Sequence, residues 1–193
     1  MTASDGRQGQ GAGTPVPRSA SSVPAAGLPD YAELRCVSTF SFLVGASQPE
    51  ELVERAHKQG YRALALTDEC SVAGVVRAHV AAKKIGLKLL IGSQFSVAVP
   101  EPSGDDAPGP FSLGVLACNL NGYGNLCEFI TKLRRASEKG TYHLDLGDIA
   151  SDELADCVVV ASPVRGSTDA QLVGLARWLL THFTGRCWLG VEL

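Results

Sequence analysis

The chain has 193 residues and a mass of 20.2 kDa, which is enough for one domain of ordinary size. Hydrophobic residues make up 45% of the sequence and charged residues 19%, a composition typical of a soluble globular protein with a real core. The net charge is −3, and no apolar run approaches the roughly 20 residues of a membrane span. These features argue against an integral membrane protein and against a free-standing nucleic-acid binder, and without a secretory signal we expect a cytoplasmic protein.

The first 29 residues are rich in Gly, Pro, Ala, Ser and Thr and contain almost no large apolar side chains. Such a segment cannot bury enough apolar surface to offset the entropy lost on ordering. We therefore predict a disordered tail at 1–29, followed by one folded domain at 30–193.

From residue 30 onward, short apolar runs alternate with helical periods. The apolar runs predict strands at 34–42, 62–67, 88–91, 94–99, 112–117, 158–161 and 187–193. The helical periods predict helices at 47–60, 71–86, 121–137 and 169–183. Ser47 and Glu50 form a predicted capping box around Pro49, which marks the start of the first helix. The second helix is predicted to bury a stripe of valines: Val72, Val75, Val76 and Val80.

Alternating strands and helices predict an α/β fold with a largely parallel sheet, either open or closed into a barrel. A complete eight-unit barrel needs about 250 residues, which is more than this chain offers after its tail. If the sheet closes, we therefore expect an incomplete barrel, and we expect the chain to be truncated at its C-terminus. Functional side chains are expected at the carboxyl ends of its strands.

Two adjacent carboxylates, Asp68 and Glu69, follow the predicted strand at 62–67. They are weak candidates for binding a hard cation or for acid and base catalysis. The alternative is structural: Asp68 would cap the helix that starts near Ser71, and Glu69 would stabilise the positive end of that helix. The sequence slightly favours the structural role.

Other motifs are less informative. The four histidines and six cysteines have no zinc-ligand spacing, and the cysteines are expected to be reduced. A basic group could contact phosphates, although a solvated helix face explains it better: Lys132, Arg134, Arg135 and Lys139.

Two stretches carry a resemblance to a known family. Residues 31–95, which include ALTDECSVAGVVRAH at 65–79, resemble the N-terminal PHP (polymerase and histidinol phosphatase) domain of bacterial C-family DNA polymerases. Residues 112–126, SLGVLACNLNGYGNL, continue the likeness. The sequence is most similar to the error-prone, damage-inducible branch of the polymerase III alpha-subunit family.

The resemblance implies a distorted β/α barrel whose active members hold a metal cluster at the carboxyl ends of the strands. The ligand positions of the family fall on six residues of this chain: Arg35, Val37, Asp68, Glu69, Gln94 and Ser112. Asp68 matches the family aspartate, but Glu69 replaces a histidine and Gln94 a glutamate. Ser112 stands where a further histidine is expected, and Arg35 and Val37 replace the two histidines of the first strand. We therefore expect a degenerate site with no metal and no catalytic residue.

Elementary chemistry agrees with that expectation. Val37 cannot bind a metal, and Arg35 brings a permanent positive charge to the place where a cation would sit. Gln94 offers only a neutral carbonyl oxygen. We expect Arg35 to form a salt bridge with Asp68 or Glu69 in place of a metal.

The resemblance also implies a parent protein, an error-prone DNA-directed DNA polymerase that uses Mg²⁺, dNTPs and DNA in replication and damage-tolerant synthesis. Its partners would be the remainder of the polymerase chain and replication or mutagenesis accessory proteins. This chain alone is expected to be a catalytically inactive, structural fragment with no cofactor of its own. Two other functions stay open: a free-standing PHP-type phosphoesterase, and a non-catalytic protein-interaction module.

Overall fold

Strands and helices alternate along the part of the chain that the computed structural model describes, residues 30–99 and 107–191. The strands are β1 (Ala32–Cys36), β2 (Ala63–Leu66), β3 (Lys88–Val97), β4 (Phe111–Ala117), β5 (Cys157–Pro163) and β6 (Cys187–Leu189). The α-helices are α1 (Pro49–Lys58), α2 (Val75–Ile85), α3 (Leu120–Ala136) and α4 (Asp169–His182). The predicted α/β class is confirmed, whereas the predicted disordered tail at 1–29 lies outside the described residues.

The strands form one sheet in chain order, and β4 runs opposite to the others. Parallel neighbours need a long crossover that is usually helical, whereas antiparallel neighbours such as β3 and β4 do not. The prediction of a largely parallel sheet is therefore right except at β4. Because β4 is reversed, its first residues lie at the edge where β3 ends, and Ser112 pairs with Ser96 and Ser162.

The strands predicted at 88–91 and 94–99 are a single strand, β3, which changes partner at Gly92. Its first half pairs with β2 and its second half pairs with β4. A Cβ atom on Gly92 would lie 2.5 Å from the carbonyl oxygen of Val115, so only glycine lets the two strands approach this closely. The glycine therefore marks a close contact between strands, and the prediction of a break at this point is wrong.

Helix α1 begins one residue later than the predicted capping box implies. Pro49 is its first residue, and the N-cap is Gln48, whose backbone N–H donates a hydrogen bond to Glu51 Oε2 at 2.8 Å. Proline is favoured at the first helical position because it has no N–H to satisfy. The predicted Ser47 cap is wrong by one position.

Helix α2 begins at Val75 rather than at residue 71, and this changes the face that it buries. Its buried residues are Val75, Ala78 and Ala82, whereas Val76 and Val80 are exposed. The predicted valine stripe is therefore wrong at these two positions. Small alanine side chains let α2 approach α1 and the sheet. A hydrophobic period alone does not predict which face of a helix packs against the core.

The sheet has a core on its helical side and a groove on the other side. Leu66 of β2 and Val53 of α1 belong to one hydrophobic cluster, and Leu113 of β4 and Phe129 of α3 belong to a second. On the opposite face, residues of β1, β4 and β5 and Gly190 beside β6 line a groove of about 380 Å³. Because the first and last strands border one groove, the sheet curls into part of a barrel, which agrees with the predicted incomplete barrel.

Disulfides and membrane spans can also be compared with the prediction. All six cysteines are free thiols. Burial raises the pKa of Cys36, Cys70 and Cys157 to about 11, so these thiols are protonated at neutral pH. Within the described residues, no helix combines the length and the apolar character needed to cross a membrane.

Candidate functional site

A cluster of buried polar residues lies at the carboxyl ends of β1, β2 and β3. The core of the described chain is otherwise apolar, and the buried polar side chains all belong to this region: Ser38, Ser41, Thr67, Asp68, Ser93 and Gln94. Burial of polar groups is unfavourable unless they form hydrogen bonds, so this cluster is stable only as a connected network. We call these six residues the strand-end cluster.

Asp68 is the centre of the strand-end cluster. Its Oδ1 accepts hydrogen bonds from the backbone N–H of Ser38 and from Ser41 Oγ, both at 2.7 Å. Its Oδ2 accepts a hydrogen bond from Ser38 Oγ at 2.8 Å. Ser93 Oγ donates to the Asp68 carbonyl oxygen at 2.7 Å. Both carboxylate oxygens are therefore occupied by protein donors, and these bonds attach the loop after β1 to the end of β2.

The space beside the Asp68 carboxylate is also filled. A Cβ atom on Gly74 would lie 3.1 Å from Asp68 Oδ2 and 3.1 Å from a ring carbon of Phe40. The glycine thus packs directly against the carboxylate. The structural alternative from the sequence, in which Asp68 caps a helix, is wrong, because α2 begins seven residues later, at Val75. Asp68 binds the β1–α1 loop instead.

A second polar chain links Arg35, Gln94 and Glu69 at the same edge. Arg35 Nε donates to Gln94 Oε1 at 2.9 Å, and Gln94 Nε2 donates to Glu69 Oε2 at 2.8 Å. The amide of Gln94 therefore lies between the guanidinium and the carboxylate and hydrogen-bonds to both. The structure brings these three predicted residues together with Asp68, and a direct salt bridge of Arg35 with either acid stays a prediction.

Glu69 has further partners that the sequence did not predict. Its Oε1 accepts hydrogen bonds from Tyr142 Oη and from Ser96 Oγ, the latter at 3.0 Å. Burial raises the pKa of Tyr142, and the Glu69 carboxylate raises it further, so the phenol stays protonated and donates. This arrangement fixes the Glu69 carboxylate against the end of β3.

Arg134 belongs to the basic group for which the sequence favours a solvated helix face, but its half-buried side chain bonds to the protein backbone. It donates to the carbonyl oxygens of Glu69 and Cys70, both at 3.3 Å, and its guanidinium lies 5.5 Å from the centre of the Tyr142 ring. Lys132 forms an ion pair with Glu153 at 2.6 Å. Arg134 therefore departs from the solvated face that the sequence favours, whereas Lys132, Arg135 and Lys139 are exposed, as expected.

The donor set at this edge does not fit a divalent metal ion. Among the described residues, no three His, Cys, Asp or Glu side chains are grouped so that they could hold a metal. Asp68 is already satisfied by serine and backbone donors, and Arg35 carries a positive charge into the same edge. Val37 follows β1 in the chain, and Ser112 lines the groove together with Arg35 and pairs with Ser96 of β3.

Comparison with known proteins gives one matching family model and a set of close relatives. The model of the PHP domain matches residues 33–171. The chain is 50% identical over 170 residues to the error-prone DNA polymerase of Dechloromonas aromatica and 51% identical over 174 residues to that of Bordetella parapertussis. Each match covers 86% of this chain but only 15% and 16% of the respective polymerase, so the chain spans about a sixth of the length of these relatives.

Solved structures with similar folds are more distant in sequence. An amidohydrolase from Chromobacterium violaceum superposes with a TM-score of 0.59 at 17% identity, covering 82% of this chain and 75% of that chain. A proposed metal-dependent phosphoesterase from Bifidobacterium adolescentis gives a TM-score of 0.58 at 17% identity, covering 86% and 77%. At this identity the likeness extends to the fold alone.

Proposed function

The chain belongs to the PHP domain family, and from this premise we propose that it is a non-catalytic scaffold domain of an error-prone DNA polymerase. The similarity to two such polymerases, at 50% and 51% identity over most of the chain, supports the parent activity. Polymerisation with DNA, dNTPs and Mg²⁺ is assigned to the remainder of that protein, which is the first partner of this domain. We further propose that this polymerase is cytoplasmic, that it takes part in damage-tolerant synthesis and that it binds accessory proteins.

The occupied carboxylate of Asp68 is the observation that carries the scaffold role. A metal ligand must direct a lone pair at an open position, whereas the Asp68 oxygens accept three hydrogen bonds from Ser38 and Ser41. Gly74 packs against the same carboxylate. Asp68 therefore connects β2 to the β1–α1 loop through hydrogen bonds.

Phosphoester hydrolysis has little support from the remaining residues. Metal-dependent hydrolysis needs a cation that polarises the phosphate and activates a water molecule. Tyr142 cannot activate the water molecule as a general base, because its pKa is raised and its hydroxyl already donates to Glu69. The Cys70 thiol is protonated at neutral pH, since burial raises its pKa to about 11.

Two activity assays test this proposal. The 193-residue chain is incubated with a generic phosphomonoester and, separately, with a primed template and dNTPs, in the presence of Mg²⁺, Mn²⁺ or Zn²⁺. We expect no hydrolysis and no primer extension, while the Dechloromonas aromatica polymerase extends the primer under the same conditions.

The Asp68→Asn variant separates a true activity from a contaminant, and Asp152→Asn, which changes an exposed carboxylate, is the matched control. Hydrolysis by the wild-type chain that is lost in Asp68→Asn and kept in Asp152→Asn would favour the phosphoesterase and contradict the scaffold role.

A further inference from the structure

The loop between β1 and α1 presents an apolar tip to solvent. We propose that this tip, Phe42, Leu43 and Val44, is the surface through which the domain packs against another part of the same polymerase polypeptide. The inference rests on the proposed scaffold function and adds to it the place of contact. The occupant is an apolar pocket on the polymerase outside the region that this chain matches.

The three side chains of the tip are consecutive and contribute little to the fold of this domain. Phe42 is 87% exposed, Leu43 is 100% exposed and Val44 is 68% exposed. Single exposed apolar residues are common on protein surfaces, but a contiguous exposed apolar group indicates an interaction site. Large apolar side chains are also unexpected at the end of a loop, where polar residues and glycine usually occur.

The backbone beneath the tip is held rigidly. Val44 N–H and Gly45 N–H both donate to the Ser41 carbonyl oxygen at 3.0 Å, and Ser41 N–H donates to the Ser38 carbonyl oxygen at 2.9 Å. Ser38 and Ser41 are in turn bound to the buried Asp68. A Cβ atom on Gly45 would lie 1.9 Å from the Ser38 carbonyl oxygen, so this glycine lets the loop close on itself. A surface that is already ordered loses little entropy on binding.

Leu43 adds a conformational observation that also indicates function. Its φ angle is 63°, in the left-handed region that glycine and asparagine adopt easily and leucine does not. Such strain is found where a residue is kept for a role other than local stability. Inside this domain the fully exposed Leu43 side chain gains no burial that would offset the strain. Burial in a neighbouring pocket would supply that gain.

Charge and size together favour an intrachain occupant. Residues 36–49 contain no charged side chain, and the centre of a permanent interface is likewise depleted of charge. Three side chains are too small a patch for a separate partner or a second copy, since a stable complex buries about 800 Å² on each side. Within one polypeptide the effective concentration is high, so a small contact is sufficient.

The test compares the same loop in two settings. One is the 193-residue chain, and the other is the Dechloromonas aromatica polymerase with its matching region replaced by the aligned part of this chain. Photochemical carbene labelling with mass-spectrometric readout measures side-chain accessibility in both. We expect labelling of Phe42 and Leu43 to fall about tenfold in the chimera. Full burial of one such side chain shifts the equilibrium between the undocked and the docked loop by at least that factor.

Two sets of variants make the result specific. Phe42→Ser with Leu43→Asn should lower the temperature at which the chimera loses primer extension, without lowering the melting temperature of the 193-residue chain. Leu120→Ser, at a residue that is 83% exposed on α3, is the matched control and should leave both temperatures unchanged.

Equal labelling of Phe42 and Leu43 in both settings, in a chimera that extends a primer, would overturn the docking surface and leave the scaffold function standing. A chimera that extends no primer, while the unmodified polymerase does, would count against the scaffold function and against this inference with it.

Discussion

Replacing Asp68 with alanine removes the acceptor of three buried hydrogen bonds at once. The donors left behind are the Ser38 N–H and the hydroxyls of Ser38 and Ser41. Hydrogen bonds to a charged group contribute about 1.5–3 kcal/mol each. The two hydroxyls can rotate towards other acceptors, whereas the backbone N–H cannot. We therefore expect the free energy of unfolding to fall by about 3–5 kcal/mol, out of a total of about 5–15 kcal/mol for a typical domain.

Asp68→Asn refines this prediction. It keeps one carbonyl oxygen for Ser38 and Ser41 but places a donor where Oδ2 accepts from Ser38 Oγ. Loss of the charge roughly halves the strength of the remaining bonds, so we expect a smaller loss of about 1–3 kcal/mol. Urea unfolding followed by circular dichroism, with and without EDTA, measures both variants. If Asp68→Ala unfolds within about 0.5 kcal/mol of the wild type, as an ordinary surface substitution does, the reasoning about the buried network is refuted.

Three further changes test other parts of the structure. Leu43→Asn should stabilise the 193-residue chain by about 0.5–1.5 kcal/mol because asparagine tolerates the positive φ angle; a lower melting temperature would show that the leucine packs inside the domain. Gly92→Ala should destabilise it by about 3 kcal/mol or more, since the new Cβ would lie 2.5 Å from the Val115 carbonyl oxygen; unchanged urea unfolding would contradict that close contact. Burial raises the pKa of Cys70 and Cys157 from 9.0 to about 11, so their contribution to stability is complete below pH 9 and is lost as the pH rises towards 11. Melting temperatures recorded from pH 8 to pH 11 should fall less steeply in Cys157→Ala, and an equal slope in both proteins would count against this linkage.

The sequence predicted the α/β class and the position of the strand-end cluster, because both depend on local patterns. Asp68 and Glu69 follow an apolar run, and the carboxyl ends of parallel strands meet at one edge. The direction of β4 was also accessible from the sequence, since the 13 residues at 98–110 show no helical period that would indicate a crossover helix between parallel strands.

The partners of Asp68 were not accessible in the same way. Ser38 and Ser41 are ordinary loop residues in the sequence, and only the closed conformation of the loop directs both hydroxyls at one carboxylate. Tyr142 reaches Glu69 from 73 residues away in the chain, a pairing that no local pattern contains. The exposure of Val76 and Val80 was missed because helical periodicity identifies an apolar face, and here two alanines are buried in its place.

Metal binding measured directly on the purified chain is the most direct test of the scaffold account. The 193-residue protein is dialysed against Zn²⁺ or Mn²⁺ and then against metal-free buffer, and bound metal is quantified by inductively coupled plasma mass spectrometry, with Asp68→Asn alongside. Because serine hydroxyls and a backbone N–H already occupy both Asp68 oxygens, the account predicts no stoichiometric metal in either protein. One or more equivalents retained by the wild type and lost in Asp68→Asn would contradict it.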